Sequence, residues 1–263
     1  MFDLAVPPPA IIQPAPPALV RPDGSPLLAM PLLTVGTGRA LLRRGATAPP
    51  VPIGAYAKLA CNFDTGLTDI SPSARTLTAH GNAAVSGGWL AMDGSGDWLD
   101  MSNSADFQFG SGAFGIECEV TIAAAPSAGN HYMMWWYGND GNYYNGCWMG
   151  IDENRKAWGG IFDASAGNQI TSAAAITLGV PTHIYFGRSG STLYASVAGA
   201  VTTAAASVTI GVPSADPATN IGAVFGVANR AKYFAGSTRR WRIVKGLCPY
   251  TANFTPPAGT WVA

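Results

Sequence analysis

Charge is what this sequence has least of. Asp, Glu, Lys and Arg make up 11% of its 263 residues, against about 25% in an ordinary soluble protein. The 15 basic and 15 acidic residues cancel to a net charge of zero. That excludes a nucleic-acid binder dependent on a basic face and an acidic disordered tail. A charge-poor surface is weakly protected against association, so partner chains, further copies of itself among them, are expected to cover part of it. Cysteine is also scarce. Cys61, Cys118, Cys147 and Cys248 are too few for a disulfide scaffold, and no CxxC pair offers a zinc site. Four buried thiols are expected. No apolar run reaches the about 18 residues of a membrane-spanning helix. The opening MFDLAVPPPAIIQPAPP has neither the basic start nor the unbroken apolar core of a secretory signal, and none is expected.

Proline, by contrast, is plentiful at one end. Twelve of the 20 prolines fall within residues 1–57, which forbids a helix and most sheet pairing there. Residues 1–55 are therefore expected to form an extended, polyproline-like arm. Its aliphatic side chains, Ile11, Ile12, Leu19, Leu27, Leu28, Leu32 and Leu33, need another surface to lie on. That surface is either a neighbouring subunit or the arm's own domain. Arg43 and Arg44 close the arm with positive charge suited to carboxylates on a partner.

From Tyr56 onward the texture changes. Short apolar runs alternate with Gly, Asn, Asp and Ser clusters every 8–12 residues, the pattern of an all-β sandwich or barrel. Residues 56–263 are expected to form one such domain. The clearest strands are Lys58–Phe63, Thr76–Gly81, Trp89–Met92, Trp98–Met101, Phe114–Ile122, Met133–Tyr137, Trp148–Ile151, Lys156–Phe162, Thr182–Arg188, Thr192–Val197 and Ser237–Val244. Only Ser71–Arg75 and Ser102–Phe107 read as helical turns.

Several segments then carry a resemblance. Leu59–Asp64 is followed by a turn at Asp69–Ser73 and by Leu77–Ala83. Leu90-Ala91-Met92-Asp93-Gly94-Ser95-Gly96-Asp97-Trp98-Leu99 leads into Asp106-Phe107-Gln108-Phe109-Gly110-Ser111-Gly112-Ala113-Phe114. Arg242–Gly246 with Tyr250–Pro257 closes the stretch. Together these resemble the laminin G-like, concanavalin A-like jelly-roll domains of tailed bacteriophages, with Ala113 standing where that family commonly has Asp. The resemblance implies a two-sheet antiparallel jelly-roll sandwich carrying a proline-rich N-terminal arm. It implies a structural virion protein of head or tail, assembled in the host cytoplasm, a homo-oligomer held to other virion proteins through the arm. It implies neither nucleic-acid binding nor membrane insertion. The alternative is a carbohydrate-binding receptor module for host surface glycans. A glycoside hydrolase comes third, because fold alone does not set function.

Chemistry is thin. A laminarinase-type hydrolase needs an E-x-D-x-x-E strand to place its carboxylates. Glu117 and Glu119 are present, but Thr121 and Ile122 stand where a third carboxylate would fall. The pair reads as the solvent face of a strand, and no catalytic residue is assigned. His80, His131 and His183 are scattered and read as surface or structural residues. No cofactor is expected beyond calcium, for which Asp64, Asp69, Asp93 and Asp97 supply loop oxygens of the right type. The richest stretch is His131–Trp148, where Trp135, Trp136, Tyr143 and Tyr144 accompany Asn139, Asp140 and Asn142. Rings to stack on beside amides and carboxylates suit a sugar site. The same residues suit a subunit contact, or a core strand with a polar turn.

Overall fold

The computed structural model describes residues 51–52, 54–138, 145–212, 218–224 and 232–262. The arm residues Ile11, Ile12, Leu19, Leu27, Leu28, Leu32, Leu33, Arg43 and Arg44, and the loop residues Asn139, Asp140, Asn142, Tyr143 and Tyr144, lie outside the described residues.

Strand alternation and turn chemistry produce the elements almost in the expected order. They are β1 (Val51–Pro52), β2 (Ala57–Cys61), β3 (Leu77–His80), β4 (Ala84–Ser86), β5 (Trp89–Asp93), β6 (Trp98–Met101), β7 (Phe114–Thr121), β8 (His131–Gly138), β9 (Cys147–Asp152), β10 (Lys156–Phe162), β11 (Gly167–Ala175), β12 (Thr182–Ser189), β13 (Thr192–Val197), β14 (Ala200–Ala205), β15 (Ala218–Ile221), β16 (Ala235–Lys245) and β17 (Trp261–Val262). Among the described residues the one helical element is a 3-10 turn, Ala105–Phe107, capped by Ser104. Ser71–Arg75 is not a helix. Asp69 holds it as a turn, accepting from the Ala60 and Ser71 amides through Oδ1 and from the Ser71 hydroxyl and Arg75 amide through Oδ2.

Two antiparallel sheets stack face to face. One runs β11-β10-β9-β8-β15-β6-β3; the other runs β14-β13-β12-β7-β16-β5-β4, with β2 also paired to β16. β2 near the start of the sandwich and β16 near its end are thus neighbours. The inner faces share one core that includes Leu59, Leu99, Phe107, Phe114, Ile116, Trp135, Tyr137, Phe186 and Trp241. The strand edges β11 and β14 touch, where the Ala173 amide donates to Thr202 Oγ1 at 2.8 Å. The β5–β6 link turns through Gly94 (φ 87°) and Gly96 (φ 74°), a left-handed backbone that glycine adopts without strain. Outside both large sheets, β1 and β17 form a short parallel pair, Val51 opposite Trp261.

Cys61, Cys118 and Cys147 are buried free thiols, as expected, whereas Cys248 is only half-buried.

Candidate functional site: an aromatic outer face

On β8 the side-chain parity breaks. Its pairing with β9 shifts register between Met133 and Trp135. Met134, Trp135 and Tyr137 therefore enter the inner core, while Met133 and Trp136 join Trp148 and Val224 in a separate apolar cluster on the outer face of the seven-stranded sheet. Trp158 and Phe162 pack against that cluster and are half-buried.

Glycines make this arrangement fit. Trp148 lies opposite Gly160, and Trp158 opposite Gly150, across the β9–β10 ladder. A Cβ on Gly160 would overlap the Trp148 indole, and one on Gly150 would come within 3.3 Å of the Trp158 ring. The absent side chains let both indoles lie along the sheet. The rings follow one another. Trp136 sits 6.1 Å from Trp148, which sits 5.4 Å from Trp158 and 4.9 Å from Phe162. His131 packs 4.6 Å from Trp158. The Trp158 Nε1–H donates to Gln169 Oε1 at 3.0 Å on the exposed edge, which fixes the ring's orientation. Asn220, opposite both Asp100 and Trp136, is fully buried with neither amide atom bonded.

The sugar-site expectation is therefore corrected in part. Trp135 is 0% and Trp136 1% exposed, so neither offers a ring face for stacking. One is core, and the other is the floor beneath Trp148. The sequence reading places the rings on β8 and the loop after it, whereas the half-buried rings of this face stand on β10. Trp158, Phe162 and Gln169 were missed, although Trp158, Gly160 and Phe162 alternate on one face of a strand whose bounds were legible.

His131 is not a simple surface residue either. Burial first, and the Lys232 ammonium second, lower its pKa to about 4; Lys232 Nζ lies 3.3 Å from its Nδ1.

On the opposite sheet, Glu117 and Glu119 do not face solvent. Both point away from the core, but the C-terminal segment 246–262 covers them, and each is buried. Glu117 accepts from His183 Nε2 at 2.8 Å, Arg242 Nε at 2.7 Å and the Tyr250 hydroxyl at 3.0 Å. Glu119 accepts from Arg239 Nε at 3.0 Å and from Arg240. Arg240 also donates to the Pro257 and Gly259 carbonyls at 2.9 and 3.2 Å. His183 is likewise buried, which is the structural one of the two roles expected for it and not the surface one. Burial alone would raise the pKa of Glu117, but the His183 hydrogen bond and the Arg242 charge outweigh it and hold the pKa below the ordinary value. Glu119 is lowered in the same way, with Arg239 and Arg240 outweighing its burial. A glycosidase acid needs a raised pKa. These two carboxylates are lowered and occupied by guanidinium groups, so they latch the tail rather than offer acid–base chemistry.

Both carboxylates favour acid-labile folding. A lowered folded-state pKa adds stability above the unfolded value, about 4.3 for Glu, and this is lost as pH falls through the folded value. His131 works in the same sense at higher pH: its contribution is complete above about 6.5 and disappears as pH falls toward its folded pKa of about 4. Urea unfolding followed across pH should show two successive losses, and His131→Asn should remove the upper one.

The calcium candidates do not assemble. Asp69 is occupied by its turn. Asp97 accepts from the Asn82 and Asp93 amides, and Asp93 from Ser95 and Asn82. Asp64 is exposed. Among the described residues no group of three His, Cys, Asp or Glu side chains converges.

No family profile and no curated protein matches the chain. Solved structures do. The binding domain of paraclostridial mosquitocidal protein 1 matches with a TM-score of 0.58 at 10% identity, over 72% of this chain and 49% of that one. The receptor binding domain of botulinum neurotoxin C/D mosaic serotype gives 0.54 at 10% identity, over 73% and 48%. The binding domain of botulinum neurotoxin DC in complex with SialylT gives 0.52 at 10%, again over 73% and 48%. The chain spans about half the length of these structures. At such identity the likeness shows the fold, a two-sheet β-sandwich. These neighbours are toxin binding domains, so the jelly-roll architecture stands while the narrower bacteriophage laminin G-like assignment gains nothing from them.

Proposed function

We propose that the sandwich is a glycan-binding receptor module and not an enzyme. The observation that carries this reading is the outer aromatic face. There the half-buried Trp158 and Phe162 rings rest on a glycine-relieved tryptophan floor, beside the exposed Gln169 amide. A rigid ring backed by other rings loses little freedom on binding, and its apolar face matches the C–H side of a sugar while the amide serves hydroxyls. The fold supports the reading, because neighbours of this architecture are named as binding domains and one holds SialylT. The virion-structural reading rests on the bacteriophage resemblance and on an arm outside the described residues.

The test is a glycan array probed with the protein and with Trp158→Ala. A restricted set of glycans should bind, and the variant should bind them about 10- to 100-fold more weakly, the effect of losing a central aromatic anchor. Its unfolding should remain cooperative. Binding that survives Trp158→Ala unchanged would remove the aromatic face from the reading.

A further inference from the structure

A second recess lies on the outer face of the other sheet, a cleft of about 370 Å³ between β7, β12, β13 and the C-terminal segment. That volume falls within the range of small-ligand sites. Glu119, His183 and Arg240 supply its ionisable lining, Thr177 and Thr182 add hydroxyls, and Val180, Pro256 and Pro257 are its apolar walls. Val180 is 47% exposed, an unusual position for an aliphatic side chain beside a cluster of charges.

His183 carries the argument. It is 7% exposed, and it lies directly across the ladder from Glu119. Its Nε2 is bonded to the Glu117 carboxylate at 2.8 Å. A carboxylate only accepts, so Nε2 bears the proton, and in the neutral ring Nδ1 is left with a lone pair. That Nδ1 is buried and has no partner, which is costly for a polar atom and asks for a donor. Glu119, which already accepts from Arg239 and Arg240, can offer only further acceptor lone pairs, whereas Arg240, anchored through Nη1 to the Pro257 and Gly259 carbonyls, can present its Nε–H as a donor. Arg240 is aimed there by a bulge: β16 shifts register between Arg239 and Arg242, and Arg240 takes φ 52°, a strained backbone for a non-glycine residue that marks functional sites more often than plain strands.

We infer that this cleft binds one neutral sugar ring through adjacent hydroxyls, with His183 Nδ1 and Glu119 as acceptors and Arg240 as donor. Two acceptors beside a guanidinium complement a diol. Glu119 and Arg240 cancel one another's charge in the lining, which favours a neutral ligand over a carboxylate. The proline and valine walls offer no donors and suit the C–H side of the ring. The site is independent of the aromatic face, which lies on the other sheet, so either can fail alone.

The test follows the His183 ring nitrogens by NMR in the full chain labelled at histidine, titrated with millimolar galactose, glucose, mannose and, separately, glucuronate. At least one neutral hexose should shift Nδ1 saturably while Nε2 stays bonded to Glu117. Ala175→Trp places an indole at the mouth of the cleft from an exposed position and should weaken that hexose about tenfold or more. Trp158→Ala should leave the titration unchanged. The inference is overturned if no neutral hexose shifts Nδ1, if glucuronate alone does so, or if Ala175→Trp binds as the parent does.

Discussion

Glu117→Ala should destabilise the domain by about 3–5 kcal/mol, the loss found when one partner of a buried ion pair is removed. The Glu117 side chain is 2% exposed, and the change strands Arg242, His183 and the Tyr250 hydroxyl together. Tyr250 stacks on Phe254 at 3.7 Å, and Phe254 packs edge-on against His183 at 5.6 Å. The loss should therefore spread along the tail instead of staying at one contact. Chemical denaturation would give the magnitude, and hydrogen exchange would show residues 248–259 opening first. Replacing both partners, Glu117→Met with Arg242→Met, should restore much of the stability, because no uncompensated charge is left buried. A double variant as weak as Glu117→Ala would mean that the pair is not the latch.

Gly160→Val should have a smaller but still large effect, and should act on the proposed sugar face. The Trp148 indole occupies the space a β-carbon would need, so the ring must tilt or the strand must move. Overpacking of this kind costs about 1–3 kcal/mol. Trp148 supports both Trp158 and Phe162, so glycan affinity should fall together with stability. In Trp158→Ala affinity should fall with little change in stability. Near-UV circular dichroism should register the disturbed indoles. A fully stable Gly160→Val with native binding would show that the glycine is not needed by the ring.

Much of the fold was legible because alternation and turn residues agree locally. The β6, β10 and β13 bounds coincide with those read from sequence. β11 and β14 were not seen. Their segments, Gly-Asn-Gln-Ile-Thr-Ser-Ala-Ala-Ala and Ala-Val-Thr-Thr-Ala-Ala, offer small residues with little contrast between faces, and pairing at the sheet edges supplies what propensity does not. The site was less legible, for two reasons. A bulge in β8 inverts the parity of Trp135 and Trp136, and nothing in Met-Met-Trp-Trp announces it. Alternation tells which way Glu117 and Glu119 point, but not that a segment more than a hundred residues further along will cover them.

The pairing of β1 with β17 has a mechanical consequence. Val51 and Trp261 lie side by side, and Asn62 bonds both the amide and the carbonyl of Trp261 at 2.8 Å. The polypeptide therefore enters and leaves the sandwich at one point. Whatever is joined at either end holds the domain as by a single stalk. Tension between residues 51 and 262 loads this small ribbon and the tail before it reaches the sheets. The ribbon can part while the strands of both large sheets stay paired. Such an attachment also lets the sandwich be spliced into a host chain, or circularly permuted, without stretching any strand.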